Sequence, residues 1–284
     1  MSNLPSSSPG KKQANKPNKC AEFLGALAIF SWGLLLIKYA VTGQYQLLIH
    51  PNYFYLMLVT GLVLLIIGLI KISRLPKSNS TAGVEEQHLT IFPPGIGSTL
   101  LLIAAIAGLL IPPNVLTSKT ALQRGVTETL PSTRSQPQAF VNQTRPEDRT
   151  LIDWVRTLNA YPEPDAYSGQ KAQLEGFVIR IPELPANYLL LSRFILNCCA
   201  VDAYPVFIPV ELPPDASDYP ADTWLQVSGK MITKNLAINV VQDRNIIRNS
   251  PNTNSPQARA KRRLVLKAEQ TQKIPTPRNP YRYQ

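Results

Sequence analysis

The chain has 284 residues, 44% of them hydrophobic and 17% charged, which is too apolar for a disordered protein and enough for one or two modest domains. Its net charge of +11 belongs mainly to the ends: residues 1–20 carry +4 and residues 251–284 carry +7, whereas residues 150–250 hold eight basic and eleven acidic groups. A folded nucleic-acid-binding domain concentrates Lys and Arg on its globular part, so nucleic acid is not an expected partner.

Residues 1–20 form a basic segment with Lys11, Lys12, Lys16 and Lys19. Ala21 to Val41 is then almost wholly apolar, with Glu22 at its start and Lys38 near its end. As a helix it would be about 31 Å long, the thickness of a bilayer core, and both charges lie close enough to a boundary to snorkel. Tyr53 to Ile70 has no charged residue and is followed by Lys71 and Arg74. Ile96 to Ile111 is shorter, can be extended by Ile91 and Phe92 before Pro93-Pro94, and stops at Pro112-Pro113. These three stretches predict a three-helix transmembrane region over residues 21–111.

A cleaved signal peptide is disfavoured, because the preceding polar stretch is long and no small-x-small site follows before the second span. Four lysines precede the first span, the loop from Thr42 to Asn52 has none, and Lys71, Arg74 and Lys77 follow the second. The positive-inside bias therefore puts the N-terminus in the cytoplasm, and the odd number of spans puts everything after Ile111 outside, as expected of an inner- or plasma-membrane protein. Ala104 and Gly108, four apart in the third span, offer a close helix approach. His50, before Pro51 at the mouth of the first hairpin, reads either as an interfacial residue or as one sensitive to pH or metal.

Residues 112–145 are rich in Ser, Thr, Gln and Pro and read as an extended linker, with Asn142-Gln143-Thr144 matching a glycosylation acceptor. Pro146, Glu147 and Asp148 read as the first turn of a short amphipathic helix carrying Leu151, Ile152, Val155 and Leu158, ending near Asn159. Five strands follow by their period-two alternation. The first, with Leu174, Phe177, Ile179 and Ile181, needs a phase shift at Glu175-Gly176 to keep these on one face. The others are Tyr188 to Cys199, Val206 to Leu212, Leu225 to Met231 and Leu236 to Val240. Five short strands without a helical crossover predict, over residues 146–249, a small antiparallel β-barrel of the OB type, with a five-stranded sandwich as its rival. Residues 250–284, basic and holding five prolines, read as a disordered tail suited to acidic lipid headgroups or wall polymers. The expected fold class is thus an α+β membrane protein: three N-terminal transmembrane helices, then an extracytoplasmic OB-like barrel with one short helix.

The cysteines are Cys20 at the membrane edge and the adjacent pair Cys198-Cys199. Neighbouring strand residues point to opposite faces, so these two thiols chelate one ion only if the chain bends locally. Three readings stand: buried small residues, an adjacent-residue disulfide, or ligands for a soft transition metal with Asp202 or His50. Trp224 reads as filling the end of the barrel.

Leu174-Glu175-Gly176-Phe177-Val178, Leu191-Ser192-Arg193-Phe194-Ile195, Cys198-Cys199-Ala200-Val201-Asp202-Ala203 and Trp224-Leu225-Gln226-Val227-Ser228-Gly229 resemble the YcgQ-like permease-subunit family of bacterial membrane proteins. That family carries a C-terminal domain with an Arg-Phe then Cys-Cys-Ala-x-Asp-Ala signature. The resemblance covers Gly169 to Val240 strongly and Ile29 to Ile70 weakly, with the His50-Pro51 pair included. This chain departs in Val201, where the family has Ala, and in its basic tail. Carried over, the signature singles out Arg193, Phe194, Cys198, Cys199, Asp202, Trp224 and Gly229, and it implies work beside a separate multi-span permease. Arg193 and Asp202 are of opposite charge and could clamp the turn after the second strand.

Two functions follow as expectations. One is a non-catalytic accessory subunit that docks on a permease through its helices in the lipid bilayer. The other is an envelope metal- or redox-binding protein acting through Cys198 and Cys199, with Asp202 as a further ligand. No phosphate loop, carboxylate pair or nucleophile–base set points to an enzyme. A channel made by this chain alone is disfavoured by spans with almost no polar lining.

Overall fold

The computed structural model describes residues 19–74, 96–126, 145–214, 216, 218–238 and 261–283. The basic segment before residue 19, Lys77, the Ile91 to Pro94 extension, the Asn142-Gln143-Thr144 triplet, Val240 and the first part of the basic tail lie outside these residues. The chain forms two compact units: Met1–Tyr45 with Asn52–Pro113, and Gln46–Pro51 with Asn114–Gln284.

The first unit holds helices α1 (Lys19–Thr42), α2 (Phe54–Arg74) and α3 (Ile96–Leu110). Two of them, over Cys20–Thr42 and Pro51–Arg74, are long and apolar enough to cross a membrane. The third has 15 residues, about 22 Å, and falls short of a full span by itself. Lys38 does not reach for solvent as its place near a helix end suggested. Its Nζ donates to the Leu109 carbonyl at 2.6 Å, and the Tyr39 hydroxyl donates to the Gly108 carbonyl at 3.0 Å. Both acceptors lie in the last turn of α3, where helix carbonyls lack an intrahelical partner.

Small residues let these helices approach. On α3 the inward residue is Ala105, fully buried beside Gly108, while Ala104 is exposed. The expected Ala104–Gly108 pair is thus out of phase by one residue, 100° around the helix. Glycines that the sequence pattern did not single out bring α1 and α2 together: a Cβ on Gly33 would lie 2.7 Å from the Leu65 amide nitrogen, and one on Gly68 2.8 Å from the Phe30 Cα.

The second unit is a closed five-stranded barrel. Strands β1 (Lys171–Ile179), β2 (Tyr188–Leu196), β3 (Tyr204–Glu211), β4 (Trp224–Leu236) and β5 (Lys261–Lys273) are ordered β1-β4-β5-β3-β2, and a β1–β2 pairing closes the ring. All barrel pairings are antiparallel except β3–β5, which is parallel, and a short β6 (Tyr281–Tyr283) adds in parallel to β2. Alternate residues of all five strands, among them Leu174, Leu191, Ile208, Leu225 and Leu266, fill one core. Helix α5 (Leu151–Ala160) packs Trp154 and Val155 into that core. The opposite strand faces carry a second core of Phe177, Phe194, Phe207, Trp224, Val265 and Tyr281.

This double burial corrects several sequence expectations. The β1 register runs without a bulge from Lys171 to Phe177, with Leu174 and Val178 in one core and Phe177 and Ile179 in the other. No phase shift is needed at Gly176, because both faces are apolar. The register shift sits instead at Ser228/Gly229 in the β4–β5 pair. Strand β2 stops at Leu196, before the cysteines, and Leu236 closes β4 rather than opening another strand. Trp224 belongs to the outer core, tilted against Phe177 at 5.8 Å, not to the barrel end.

The fifth strand comes from the segment read as a disordered tail. Its charges sit mainly at exposed positions such as Lys261, Arg262 and Lys267, while Leu264, Val265, Leu266 and Ala268 are buried. The linker reading fails at its front too: Thr117 caps a helix α4 (Ser118–Arg124) whose Ala121 is fully buried. Helix α5 starts later than Pro146, because Thr150 and Asp153 form a capping box and Pro146–Asp148 is a separate 3-10 turn.

Candidate functional site

Past Leu196 the chain leaves the ladder and bends, so the two cysteines are not held on opposite faces. Asp202 builds the bend. Its Oδ2 accepts the Cys198 N–H at 2.8 Å and its Oδ1 the Cys199 N–H at 3.2 Å, while its own N–H donates to the Cys199 carbonyl at 3.1 Å. The thiol sulfurs end 3.5 Å apart, and all three cysteines of the chain are free. The two thiols and an Asp202 carboxylate oxygen lie within 4.8 Å of one another.

Three further elements hold this turn from within the barrel unit. Ile49 bridges Cys199 in antiparallel fashion, with the His50 N–H donating to the Cys198 carbonyl at 2.9 Å and the Ala200 N–H to the Leu48 carbonyl at 2.7 Å. From α4, Arg124 donates one Nη1 to the Ala200 carbonyl at 2.9 Å and to the Ala203 carbonyl at 2.6 Å. From β6, Tyr283 sets its ring edge-on to His50 at 5.0 Å and donates its hydroxyl to the Gln46 carbonyl at 3.2 Å. His50 is thus brought to the cysteines as the sequence suggested, though by its backbone; its ring packs on Tyr283 and is not part of the three-atom cluster. Arg124 and Tyr283 gave no signal in the sequence, since each acts on backbone carbonyls that carry no residue pattern.

The remaining signature residues divide. Asp202 is committed to the cysteine backbone and forms no ion pair with Arg193 among the described residues, so the expected clamp is not made. Arg193 instead lies over the Trp224 ring at 5.4 Å. Phe194 stacks on Phe177 at 5.4 Å in the outer core. Gly229 stands where a Cβ would collide with the Lys267 backbone carbonyl. Phe194, Trp224 and Gly229 therefore build the barrel rather than the site.

The electrostatics of the turn are set by Asp202. Burial works against its carboxylate, but the N–H groups of Cys198, Cys199 and Asn197 outweigh it and hold the pKa below the usual range. The carboxylate in turn pushes the Cys198 thiol up to about 11, with Cys199 adding to the effect. At neutral pH Cys198 is therefore a thiol, slow as a nucleophile. Adjacent residues also have Cα atoms only about 3.8 Å apart, short of the range unstrained disulfides use. A soft cation that displaces the protons of both thiols would be held by the two sulfurs and one Asp202 carboxylate oxygen.

A labelling experiment checks the role of Asp202. In a Cys20→Ser, Cys199→Ser background, alkylation of Cys198 at pH 8 should run on the order of a hundredfold slower than at an ordinary exposed cysteine. Its rate should keep climbing with pH beyond the ordinary thiol range, because Asp202, the larger cause of the raised pKa, is still present when Cys199 is replaced. Asp202→Asn removes the carboxylate charge and should speed labelling at pH 8 at least tenfold; an unchanged rate would show that Asp202 does not control the thiol.

Comparison with known proteins gives the DUF1980 N-terminal domain over residues 24–127 and the DUF1980 C-terminal domain over residues 128–284. No curated protein and no solved structure matches the chain.

Proposed function

The chain belongs to the DUF1980 family, and on that premise we propose that it is a non-catalytic accessory subunit of a membrane permease, anchored by three spans and presenting an OB-like barrel on the outer face. The observation that supports the reading is the match of both halves of the chain to one family, with two long apolar helices ahead of the barrel. In this reading the chain crosses once more between Arg74 and Asn114, where α3 is the apolar helix among the described residues. Tilting, local bilayer thinning or docking against longer partner helices accommodates its shortness. With the positive charges before α1 and in the last turn of α2 kept inside, the barrel lies outside in this reading.

A permease partner is supported by the helices themselves. They present large apolar residues outward, including Leu62, Ile66 and Leu69 of α2 and Leu100, Ile103 and Leu110 of α3, and among the described residues no polar row to line a pore. The barrel's strand order and its parallel β3–β5 pairing support the OB-like reading. The Arg-Phe and Cys-Cys-Ala-x-Asp-Ala residues support placement with the YcgQ-like permease subunits.

The clustering of Cys198, Cys199 and Asp202 favours a second reading within the first, in which the barrel offers a soft metal ion to or from the permease. Both are tested by purifying the full-length protein from membranes in mild detergent, with mass spectrometry of its partners and elemental analysis of the same sample. A multi-span permease at near-equal amount is expected, with about one soft metal per chain that is lost when Cys198 and Cys199 are replaced by Ser. Absence of any transporter would overturn the subunit reading, and metal content unchanged in the Ser variant would remove the metal reading.

A further inference from the structure

Strands β1 and β2 diverge beyond the Phe177–Ser192 pair, and β6 takes over the freed part of β2. A cleft of about 270 Å³ opens at this divergence, and Arg193 lines it. Arg193 is only 6% exposed, and its Nε is buried without a hydrogen-bond partner. Arg282 lines the same cleft, and the register explains why: it pairs with Ile195, two residues along β2 on the face that Arg193 shares. Neither arginine forms an ion pair among the described residues.

A buried guanidinium beside a second one is an unfavourable arrangement in isolation. Burial and the charge of Arg282 both press the Arg193 pKa down, against a weaker opposing pull from Glu175. Glu175 does not pair with it directly, because its Oε1 takes the Gln226 amide at 3.1 Å. The face of Trp224 offers partial relief. Thr150 and Leu151, the start of α5, also line the cleft; the Asp153 carboxylate caps this helix end and takes the Thr150 N–H, so the two arginines supply the positive charge. The larger cleft of the barrel, about 620 Å³, makes a useful contrast. Its cation, Arg180, is already satisfied by the carbonyls of Ala186, Tyr188 and Tyr219 and by Asp218.

We infer that the β1–β2 cleft binds a single oxyanion group, a carboxylate or phosphate, held between Arg193 and Arg282 at the start of α5. The exposed carboxylates of Glu147 and Asp148 at its edge limit the bound group to low charge and leave room for a cationic part of the same ligand. This site is separate from the cysteine turn and does not rest on the metal reading or on a permease.

Thermal unfolding of the full-length protein in mild detergent at fixed ionic strength tests it, with acetate or inorganic phosphate replacing chloride. The expected result is a saturable rise in the barrel's melting temperature of about 4 °C or more. Arg282→Gln, an exposed substitution that leaves the cores untouched, should weaken the apparent affinity at least tenfold. Arg193→Gln should abolish the rise, and Arg193→Lys should restore part of it. Equal shifts with chloride, or wild-type affinity in Arg282→Gln, would overturn the inference even if the Arg193 variants fail to fold. Micelles doped with a phosphatidylglycerol, compared with soluble glycerol phosphate, tell a lipid headgroup from a free ligand: a shift with the soluble compound assigns the site to the latter, and a shift with the lipid alone to the former.

Discussion

A chain ended at Pro251 is expected to lose the barrel altogether. Its missing part contains β5, which pairs with β4 through 12 of its 13 residues and meets β3 at Val210 and Glu211. Without it the ring opens at two edges, and the interior core loses Leu264, Leu266 and Ala268 while the outer core loses Val265 and Tyr281. A domain of this size is stable by only about 5–15 kcal/mol, and removing one barrel strand with its share of both cores exceeds that margin. Limited proteolysis and near-ultraviolet circular dichroism of the truncated protein should show no cooperative fold, whereas a disordered tail could be removed without effect. A milder form of the same experiment is Leu266→Ala, fully buried in the intact barrel, with an expected loss of about 2–5 kcal/mol.

The second large effect is expected at Gly229. It sits at the register shift between β4 and β5, with the Lys267 carbonyl where a Cβ would go. The obstacle is backbone, which cannot rotate aside as a side chain can. Gly229→Ala must therefore push β5 away from β4 or rebuild the shift, at a cost on the order of 3 kcal/mol or more. For a unit of this size that is a fall of about 10 °C in melting temperature. Gly97→Ala, where a Cβ meets open space near the start of α3, is the matched control and should leave the melting temperature unchanged. An equal response of the two variants would show that the β4–β5 approach is looser than described.

The cysteine turn was partly legible from local order. Asp202 lies four and three residues after the thiols, near enough in sequence for its carboxylate to close on their N–H groups. What the order of residues does not reveal is Arg124, 74 positions before Cys198, or the Leu48–His50 segment that bridges the turn, because these meet it through backbone groups common to every residue. Arg193 was visible as a signature residue, yet its suggested partner was wrong. Opposite charge nearby in sequence argued for Asp202, whereas the strand directs Arg193 toward Trp224 and Arg282.

By itself, then, the sequence determined what depends on neighbours along the chain: two long apolar helices, an amphipathic stretch through Leu151, Ile152, Val155 and Leu158, and the first four barrel strands in outline. Tertiary structure alone decided the rest. Strand β5 contains eight residues bearing charge or an amide in a span of thirteen, a composition that matches a solvated tail until a ring with one missing strand supplies partners for its backbone and cover for its leucines. Burial of β1 in both cores lets Leu174 and Phe177 face opposite ways, so no bulge is required at Gly176. The segment between the first two helices looked like a simple hairpin loop and became part of the barrel. In each case the deciding interaction is between residues far apart in sequence, whose pairing energy is realised only when the ring closes, so no local pattern carries it.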